Sequence, residues 1–406
     1  MEIHRMKIRH KIAFIGYGMY AGGAEANAIH IADYFLKKGV QCDFISIKNN
    51  NDYEKQYRNF FKKIHNYHLI IEPIDSQKIV LKIWLSIKGI VRFFSILHRE
   101  KYDMYFSVVE YHPSLLTIFG GLISGKKTIL TIHDNLREDL LRRPYFDRIF
   151  YRIILDISLA GASHIICVSH GLKEQMISFF RIDKRKLSVI HNGVDTTRIQ
   201  KMQKSERLQG IPKIIILSRL VEKKNHLLAL EAIHEVSKTV KISCEIIGKG
   251  LMEDSLREFV SSMDMDSIVR FRGFVEGDPY RYLRRANLFL FTSKYEGFGN
   301  AIVEAMACGL PIISSNCEYG PLEILSKTPH DYAVSKKEVR FAEYGVLVNI
   351  TGDNSVDSVR FGKAISKLLR DKKMLRQYGE RSLVRSRYFS VEKMCHSYYK
   401  LISPLF

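Results

Sequence analysis

Short apolar runs alternate with longer amphipathic segments along most of this chain. Near the start, Lys11–Gly16 predicts a buried strand, Ala26–Gly39 has the period of a helix that stops at glycine, and Val40–Ile47 predicts the next strand. Further strands are predicted at Asp103–Val109, Lys127–Asp134 and His164–Ser169, and a strand followed by a turn is predicted at Lys186–Asp195. This order of strand, helix and strand is typical of parallel sheets with helices on both faces.

A polar segment without periodicity divides the pattern into two halves. We interpret this segment, residues 196–212, as a linker, because strands and helices alternate again after it. The predicted fold class is α/β, with two doubly wound Rossmann-like domains facing a central cleft. The domains are expected at residues 1–195 and 213–385, and residues 386–406 predict a C-terminal helix that can pack back on the N-terminal domain.

One stretch of the second half, Tyr295–Leu325, has the order that open α/β sheets use at their ligand sites. It follows the apolar run Leu288–Ser293, passes through a glycine-rich turn, and continues as a helix that stops at Gly309. A second short strand follows. Ligands of such sheets bind where a strand ends and a helix begins.

Polar groups stand at this place in the stretch. Glu296 precedes the backbone N–H groups of Phe298, Gly299 and Asn300, which lie at the start of the predicted helix, where an anion is favoured. Glu304 lies about two helical turns beyond Glu296, so it can face the same side.

A carboxylate would repel an anion bound beside it, so the carboxylate and the anion site must bind different parts of the ligand. A nucleotide sugar fits, because its phosphates need hydrogen-bond donors and its hydroxyls need acceptors. The alternative is that Glu296 is a turn residue and Glu304 is a solvated helix position.

Two glycines, Gly22 and Gly23, stand in the loop after the first predicted strand. They would let the backbone approach a phosphate or a sugar, or they simply form a tight turn. Their spacing is not the dinucleotide-binding fingerprint, so a nicotinamide site is not supported. His133 ends another strand, where it can be functional or a satisfied structural residue.

Composition and charge narrow the classes of protein. The hydrophobic content of 46% is enough for a sizeable core, and no apolar run reaches the roughly 18 residues of a membrane span. The basic start of the chain matches a first strand better than a signal peptide, so we expect a cytoplasmic protein. Six scattered cysteines predict reduced, mostly buried thiols.

The formal net charge of +20 predicts an anionic partner, such as nucleic acid, a membrane surface or a phosphorylated substrate. The basic residues are dispersed and no nucleic-acid-binding motif is recognisable, so nucleic acid is not expected.

A predicted helix at Gln77–Arg99 gathers cations along one side. At 100° per residue, an arc of about 120° contains Lys78, Lys82, Lys88, Arg92 and Arg99. We expect this helix, or another basic surface of the N-terminal domain, to attach the protein peripherally to an anionic membrane. The alternative is that its apolar residues pack on the sheet while its cations face water.

Several segments resemble, in order, the motifs of one enzyme family. Glu296-GFGNAIV-Glu304 resembles the glutamate–seven–glutamate motif of retaining glycosyltransferases with the GT-B fold, specifically glycosyltransferase family 4 (glycosyl transferases group 1). SRLVEKKNH (Ser218–His226) resembles the Arg…Lys segment of that family. Shorter matching segments are AGGAE, VSHGLK, HNGVD, GFV and EAMACGLPII.

The resemblance implies roles for several side chains. Arg219 and Lys224 would bind the donor diphosphate, and Glu304 would accept hydrogen bonds from the ribose hydroxyls. Glu296 would contact the transferring sugar and the developing positive charge at its anomeric carbon, with His133 as a second catalytic residue.

It also implies roles for backbone groups and glycines. The amides of Phe298, Gly299 and Asn300 would bind sugar or phosphate, and Gly22 and Gly23 would close on the diphosphate from the N-terminal, acceptor-side domain. No protein nucleophile is expected, because the resemblance implies a front-face displacement. No metal or other cofactor is expected either, because Arg and Lys supply the positive charge that a divalent ion would give.

The function implied is a retaining hexosyltransferase. It would move a sugar from a nucleotide-sugar donor, with UDP the commonest nucleotide of the family, to a glycan or lipid-linked acceptor in surface polysaccharide or lipopolysaccharide synthesis. Two alternatives remain: a non-hydrolysing GT-B relative such as a nucleotide-sugar epimerase, and a non-catalytic basic binding protein.

Two details can be checked against a structure. Asn225 stands where many relatives have glycine, so its backbone conformation matters. We also expect that replacing Arg219 and Lys224 by alanine weakens UDP binding but changes the melting temperature of the ligand-free protein little.

Overall fold

The chain forms two compact α/β units. The computed structural model describes residues 10–18, 22–48, 57–70, 79–202, 210–327 and 338–406. The first unit comprises Met1–Val168, Leu172–Asn192 and Val391–Phe406, and the second comprises Ser169–Gly171 and Gly193–Ser390.

The first unit contains a seven-stranded parallel sheet with the strand order β3-β2-β1-β4-β5-β6-β7. Its strands are β1 (His10–Gly16), β2 (Val40–Lys48), β3 (Asn66–Ile70), β4 (Met104–Ser107), β5 (Lys127–Ile132), β6 (His164–Cys167) and β7 (Leu187–Val189). The order reverses between β1 and β4, which makes this pair the switch point of the sheet.

The second unit also has a seven-stranded sheet, with the order β10-β9-β8-β11-β12-β14-β13 and a reversal between β8 and β11. Its strands are β8 (Lys213–Leu217), β9 (Ser243–Ile247), β10 (Val269–Gly273), β11 (Leu288–Phe291), β12 (Ile312–Ser315), β13 (Val339–Phe341) and β14 (Val346–Val348). Only the β13–β14 pair is antiparallel among these described strands.

Helices connect the strands of both sheets. They are α1 (Gly23–Lys37), α2 (Arg58–Phe61), α3 (Ile79–Glu100), α4 (His112–Ser124), α5 (Leu136–Leu141), α6 (Tyr145–Gly161), α7 (His170–Ser178), α8 (Thr196–Lys201), α9 (His226–Ser237), α10 (Glu253–Ser262), α11 (Tyr280–Arg285), α12 (Asn300–Ala307), α13 (Pro321–Leu325), α14 (Asn354–Arg370), α15 (Lys372–Ser386) and α16 (Val391–Ile402).

Alternate residues of β1 show how helices cover the first sheet. Ile12 and Phe14 lie in a buried cluster with residues of α1 and α16, including Tyr398. Ala13 and Ile15 point to the opposite face, into a cluster with α3 residues, against which α4 also packs. Because both faces are covered, the run Ile12–Ile15 of β1 is apolar throughout, as the sequence pattern predicted.

Two edge strands and the segment between the two halves differ from the sequence-based expectation. The edge strand β3 and the antiparallel edge strand β13 were not predicted, since each is short and mixes polar with apolar residues. The segment interpreted as a linker begins with helix α8, which Asp195 caps by accepting a hydrogen bond from the Arg198 N–H.

Helix α3 divides its apolar residues between two sides. Phe93, Ile96 and Leu97 are buried against the sheet. The apolar residues exposed elsewhere on the helix are Ile87, Ile90, Val91 and Phe94. Lys78 and the side chain of Lys82 lie outside what the structure describes.

The three other cations of α3 differ from one another. Lys88 is exposed, Arg92 is half-buried, and the Arg99 guanidinium pairs with Glu100 at 2.8 Å. In the described part of the chain no helix is both long enough and apolar enough to cross a membrane. All six cysteines are free thiols, and five of them are buried, as predicted.

Candidate functional site

The loops that follow β8 and β11 leave the second sheet at its switch point. Open α/β sheets bind ligands outside the carboxyl ends of the strands at this position. Two glycines allow the loop after β9 to pack on the loop after β8. A Cβ on Gly248 would lie 1.9 Å from the Ser218 carbonyl oxygen, and one on Gly250 would lie 2.2 Å from the Leu220 carbonyl oxygen.

Lys224 and Glu296 meet at this switch point. The Lys224 ammonium forms an ion pair with the Glu296 carboxylate, and their side chains are only 15% and 9% exposed. The Thr292 hydroxyl donates to the Lys224 carbonyl, and the Lys294 N–H donates 2.8 Å to the Lys223 carbonyl oxygen. These bonds tie the two loops together, so the backbone positions the pair.

The backbone of Asn225 explains why this position accepts asparagine. Its φ is 47° and its ψ is 52°, which is the left-handed region, and it separates a short 3₁₀ turn from α9. Asparagine tolerates this region better than other non-glycine residues do. Its amide also donates to Asn354 Oδ1 at 3.1 Å. The departure from glycine therefore keeps the shape of the loop.

The turn before α12 is held by a neighbouring segment. The Glu296 N–H donates 3.3 Å to the Glu318 carbonyl oxygen. Gly320 has a φ of 85°, and a Cβ there would lie 1.8 Å from the Phe298 carbonyl oxygen. Gly299, with a φ of 109°, caps the helix. The first N–H groups of an α-helix have no partner within the helix, so this terminus can donate to a ligand.

The side chains of this turn have different environments. The Phe298 ring is buried and packs edge-on against Phe389, with 5.4 Å between ring centroids, so its side chain is part of the core. Asn300 Oδ1 is buried and accepts no hydrogen bond within the described residues.

Glu304 lies in the second turn of α12 and is half-buried. Desolvation of its carboxyl raises the pKa of Glu304 to about 7. The Arg219 side chain is exposed, and no hydrogen bond or ion pair holds it in the part of the chain that the structure describes. A guanidinium of this kind can bind phosphate without breaking a protein contact.

The first unit has its own group of polar residues after β4 and β5, beside the β1–β4 switch point. The buried Glu110 carboxylate accepts the N–H of His133 and, at 3.1 Å, the N–H of Asp134. Burial raises the pKa of Glu110 to about 7 and lowers the pKa of His133 to about 4. His133 is therefore neutral at pH 7. Its Nδ1 is buried and has no partner among the described residues.

Sequence reasoning missed Glu110, Tyr111 and His112. The Tyr17 hydroxyl lies 2.8 Å from His112 Nδ1, and the Tyr111 hydroxyl donates to Asp139. These residues directly follow β4, so the argument that singled out His133, a polar residue at the end of a strand, would have found them.

Gly22 and Gly23 begin helix α1 in the first unit. A Cβ on Gly22 would lie 2.4 Å from Glu25 Oε2, which is the end of a flexible side chain. Of the predicted site residues, Lys224 and Glu296 are in contact, and the turn before α12 lies beside them. Gly22, Gly23 and His133 belong to the first unit.

One acidic cluster has the spacing of a metal site but contains a lysine. Asp43, His65 and Glu100 offer ligand atoms within 4.8 Å of one another. The Lys11 ammonium pairs with Asp43 at 2.9 Å and with Glu100 at 2.6 Å. The ammonium supplies the positive charge that these carboxylates need. That no metal takes part in the function stays a prediction.

Two family models match the chain. The model described as Glycosyltransferase Family 4 matches residues 21–198, and the model described as Glycosyl transferases group 1 matches residues 197–346.

Relatives matched over most of this chain agree with these family models. The chain is 23% identical over 291 residues to the N-acetylgalactosamine-N,N'-diacetylbacillosaminyl-diphospho-undecaprenol 4-alpha-N-acetylgalactosaminyltransferase of Campylobacter jejuni, covering 71% of this chain and 73% of the relative. It is 25% identical over 387 residues to the lipopolysaccharide core biosynthesis glycosyltransferase LpsE of Rhizobium meliloti, covering 94% and 96%. The structure of Anabaena HepE in complex with UDP-glucose superimposes with a TM-score of 0.75 at 17% identity, covering 98% of this chain and 100% of that one.

The chain is therefore a glycosyltransferase enzyme whose two α/β units have the GT-B fold. The two family matches support its place in glycosyltransferase family 4. The predicted fold class and enzyme class are confirmed, and the roles of individual residues stay predictions.

Because Lys224 pairs with Glu296, we no longer expect Lys224→Ala to leave the stability of the ligand-free protein almost unchanged. Lys224→Ala leaves a buried carboxylate without its partner, so the ligand-free protein should lose about 3 kcal/mol of unfolding free energy. Arg219→Ala removes an exposed side chain and should change it by about 0.5 kcal/mol or less. Urea unfolding of both variants measures the difference. Equal stabilities would show that the ion pair does not stabilise the fold.

The raised pKa of Glu304 predicts a pH-dependent effect of Glu304→Gln. The neutral carboxyl is favoured in the folded protein, so its stabilising contribution is full below the ordinary value of 4.5 and is lost as the pH rises through about 7. The melting temperature of Glu304→Gln should therefore rise relative to wild type between pH 5 and pH 8. A constant difference over this range would contradict desolvation of the Glu304 carboxyl as the cause of its raised pKa.

Proposed function

We propose that this glycosyltransferase transfers a sugar from a UDP-sugar to a lipid-linked glycan acceptor, with retention of anomeric configuration, during synthesis of a surface polysaccharide or lipopolysaccharide. The observation that carries the proposal is the Lys224–Glu296 ion pair beside the amino end of α12. It combines a cation, a carboxylate and a helix terminus at the switch point of one sheet.

These groups fit the two ends of a nucleotide sugar. The helix terminus, Lys224 and the exposed Arg219 are donors for the diphosphate. Glu304 and Glu296 are acceptors for the ribose and sugar hydroxyls. UDP is the nucleotide bound in the structurally similar Anabaena HepE, which supports a uridine donor here.

The reaction separates charge in a way that this arrangement can stabilise. As the bond between the anomeric carbon and the diphosphate oxygen breaks, negative charge grows on the diphosphate, close to Lys224 and Arg219. Positive charge grows on the sugar ring, and the Glu296 carboxylate stabilises it. The acceptor hydroxyl forms the new bond from the same face and gives its proton to the departing diphosphate oxygen. No protein nucleophile is needed.

Relatives support the acceptor and the stereochemistry. The name of the Campylobacter jejuni relative specifies a diphospho-undecaprenol acceptor and an α-linked product. An α-linked product from an α-linked UDP-sugar is retention. The polar residues after β4 and β5 in the first unit, including Glu110 and His133, are the acceptor-side groups that we propose, with the neutral His133 Nδ1 accepting a substrate hydroxyl.

A lipid-linked acceptor requires the enzyme to work at a membrane. We therefore place it at the inner face of the cell membrane, attached peripherally through the first unit. The net charge of +20 and the solvent-accessible cations Lys88 and Arg92 of α3 support this placement, because basic side chains near an anionic leaflet contribute about 1 kcal/mol each.

Glu296→Gln should bind donor yet lose most of its turnover. Glutamine keeps the volume but removes the charge near the anomeric carbon, which should lower kcat by roughly 10²–10³-fold. Turnover is measured as UDP release with a lipid-linked acceptor, and donor binding by calorimetry. Glu258→Gln, an exposed position of α10, is the matched control. Wild-type turnover in Glu296→Gln would remove Glu296 from the reaction.

The donor and the stereochemistry are tested on the products. Thermal shifts with UDP, GDP and ADP should show stabilisation by UDP alone. Product analysis by mass spectrometry and NMR with a panel of UDP-sugars should show one α-linked sugar on the lipid-linked acceptor. A shift with another nucleotide, or a β-linked product, would contradict the donor or the retention respectively.

A further inference from the structure

Helix α6 is apolar on two opposite sides. Ile154, Leu155 and Leu159 are buried inside the first unit. A second set of large apolar residues, exposed by 44% to 83%, consists of Phe146, Ile149, Phe150, Ile153 and Ile157. A surface helix that only packed on its own sheet would be polar on this outer side.

The outer residues form an uncharged stripe. At 100° per residue, these five positions fall within an arc of about 100°, and no charged residue of α6 projects into it. Arg152 and Asp156 lie beside the stripe and pair with each other at 2.9 Å. The outer side of α6 therefore offers an apolar surface that no charged residue of the helix interrupts.

Helix α4 extends this surface. The two helices touch near both ends of α6: the His112 and Phe150 rings lie 6.5 Å apart, and a Cβ on Gly161 would lie 2.7 Å from Ile118. Beside this seam, α4 exposes 70% of Leu122 and 56% of Ile123. Large exposed apolar residues on two helices that touch are typical of an interaction site. We call the outer sides of α4 and α6 together the α4–α6 surface.

We infer that the α4–α6 surface inserts into the lipid bilayer that carries the acceptor. This inference rests on the proposed function, since a lipid-linked acceptor brings the enzyme to a bilayer. The inference goes beyond the proposed function, because it assigns the attachment to insertion of apolar side chains and not to the basic side of α3.

The charges around the surface match a lipid headgroup layer. Exposed Arg137 and Arg142 lie in and just after α5, which contacts α6. Apolar side chains bordered by cations fit acyl chains below phosphate groups. A second copy of this basic chain would bring like charges together at the same border.

Apolar insertion and electrostatic attraction respond differently to salt. Raising salt from about 0.1 M to about 1 M shortens the Debye length from about 10 Å to about 3 Å, which removes attraction between charges but not burial of apolar area. The inference therefore predicts binding to neutral phosphatidylcholine vesicles that persists at high salt. Added phosphatidylglycerol should strengthen binding at low salt only.

The test compares two triple variants of the full chain by vesicle co-sedimentation. One variant carries Phe146→Gln, Ile153→Gln and Ile157→Gln. The matched control carries Val356→Gln, Val359→Gln and Val384→Gln, at positions of the second unit that are 42%, 43% and 67% exposed. Glutamine keeps helix propensity, and melting temperatures check that both variants fold.

Loss of roughly 100-fold in partition to neutral vesicles by the α6 variant, with the control unchanged, is the expected result. Equal binding by both variants overturns the inference. It is also overturned if wild type binds no vesicles at high salt, or if sedimentation velocity shows a wild-type dimer that the α6 variant cannot form. Thermal shifts with UDP on the same proteins test the donor proposal separately, because all six positions lie outside the donor-binding groups.

Discussion

Close packing of the loops at the carboxyl edge of the second sheet is the constraint on which the rest of that unit depends. Gly248, Gly250 and Gly320 each lie where a Cβ would approach a carbonyl oxygen of a neighbouring loop to between 1.8 and 2.2 Å. Only glycine permits such approaches, and two of the three also have a positive φ. The loops that surround the Lys224–Glu296 pair therefore pack against one another backbone to backbone.

Glu110 and Glu304 are far apart in the sequence, yet the pKa of each carboxyl is raised. Burial raises the pKa values of Glu110 and Glu304 to about 7, and neither forms an ion pair within the described residues. Glu296, in contrast, has Lys224 beside it. The protein therefore pairs one carboxylate with a cation and gives two other carboxyls raised pKa values, which separates an ion-pairing group from two desolvated ones.

Much of the fold could be predicted from the sequence, because strands buried on both faces are continuous apolar runs such as Ile214–Ile216. The edge strands β3 and β13 could not be, since an edge strand needs fewer apolar residues. In the candidate site, the spacing of Glu296 and Glu304 placed both on the region of α12. The Lys224–Glu296 contact was beyond sequence reasoning, because it depends on which two strands flank the switch point. Glu110 stands after β4 as His133 stands after β5, so its position could have been singled out, but its hydrogen bonds to backbone N–H groups could not be predicted from the sequence.

The return of the chain to the first unit has a consequence for its synthesis. Met394, Cys395, Tyr398 and Ile402 of α16 are buried in the same cluster as Phe14 and Phe106 of the central strands. A ribosome releases these residues only after the whole second unit has been made. Until then the nascent first unit keeps an uncovered apolar face, so the second unit can complete its core before the first does, and a chain that stops at Ser390 would present that face to chaperones and proteases.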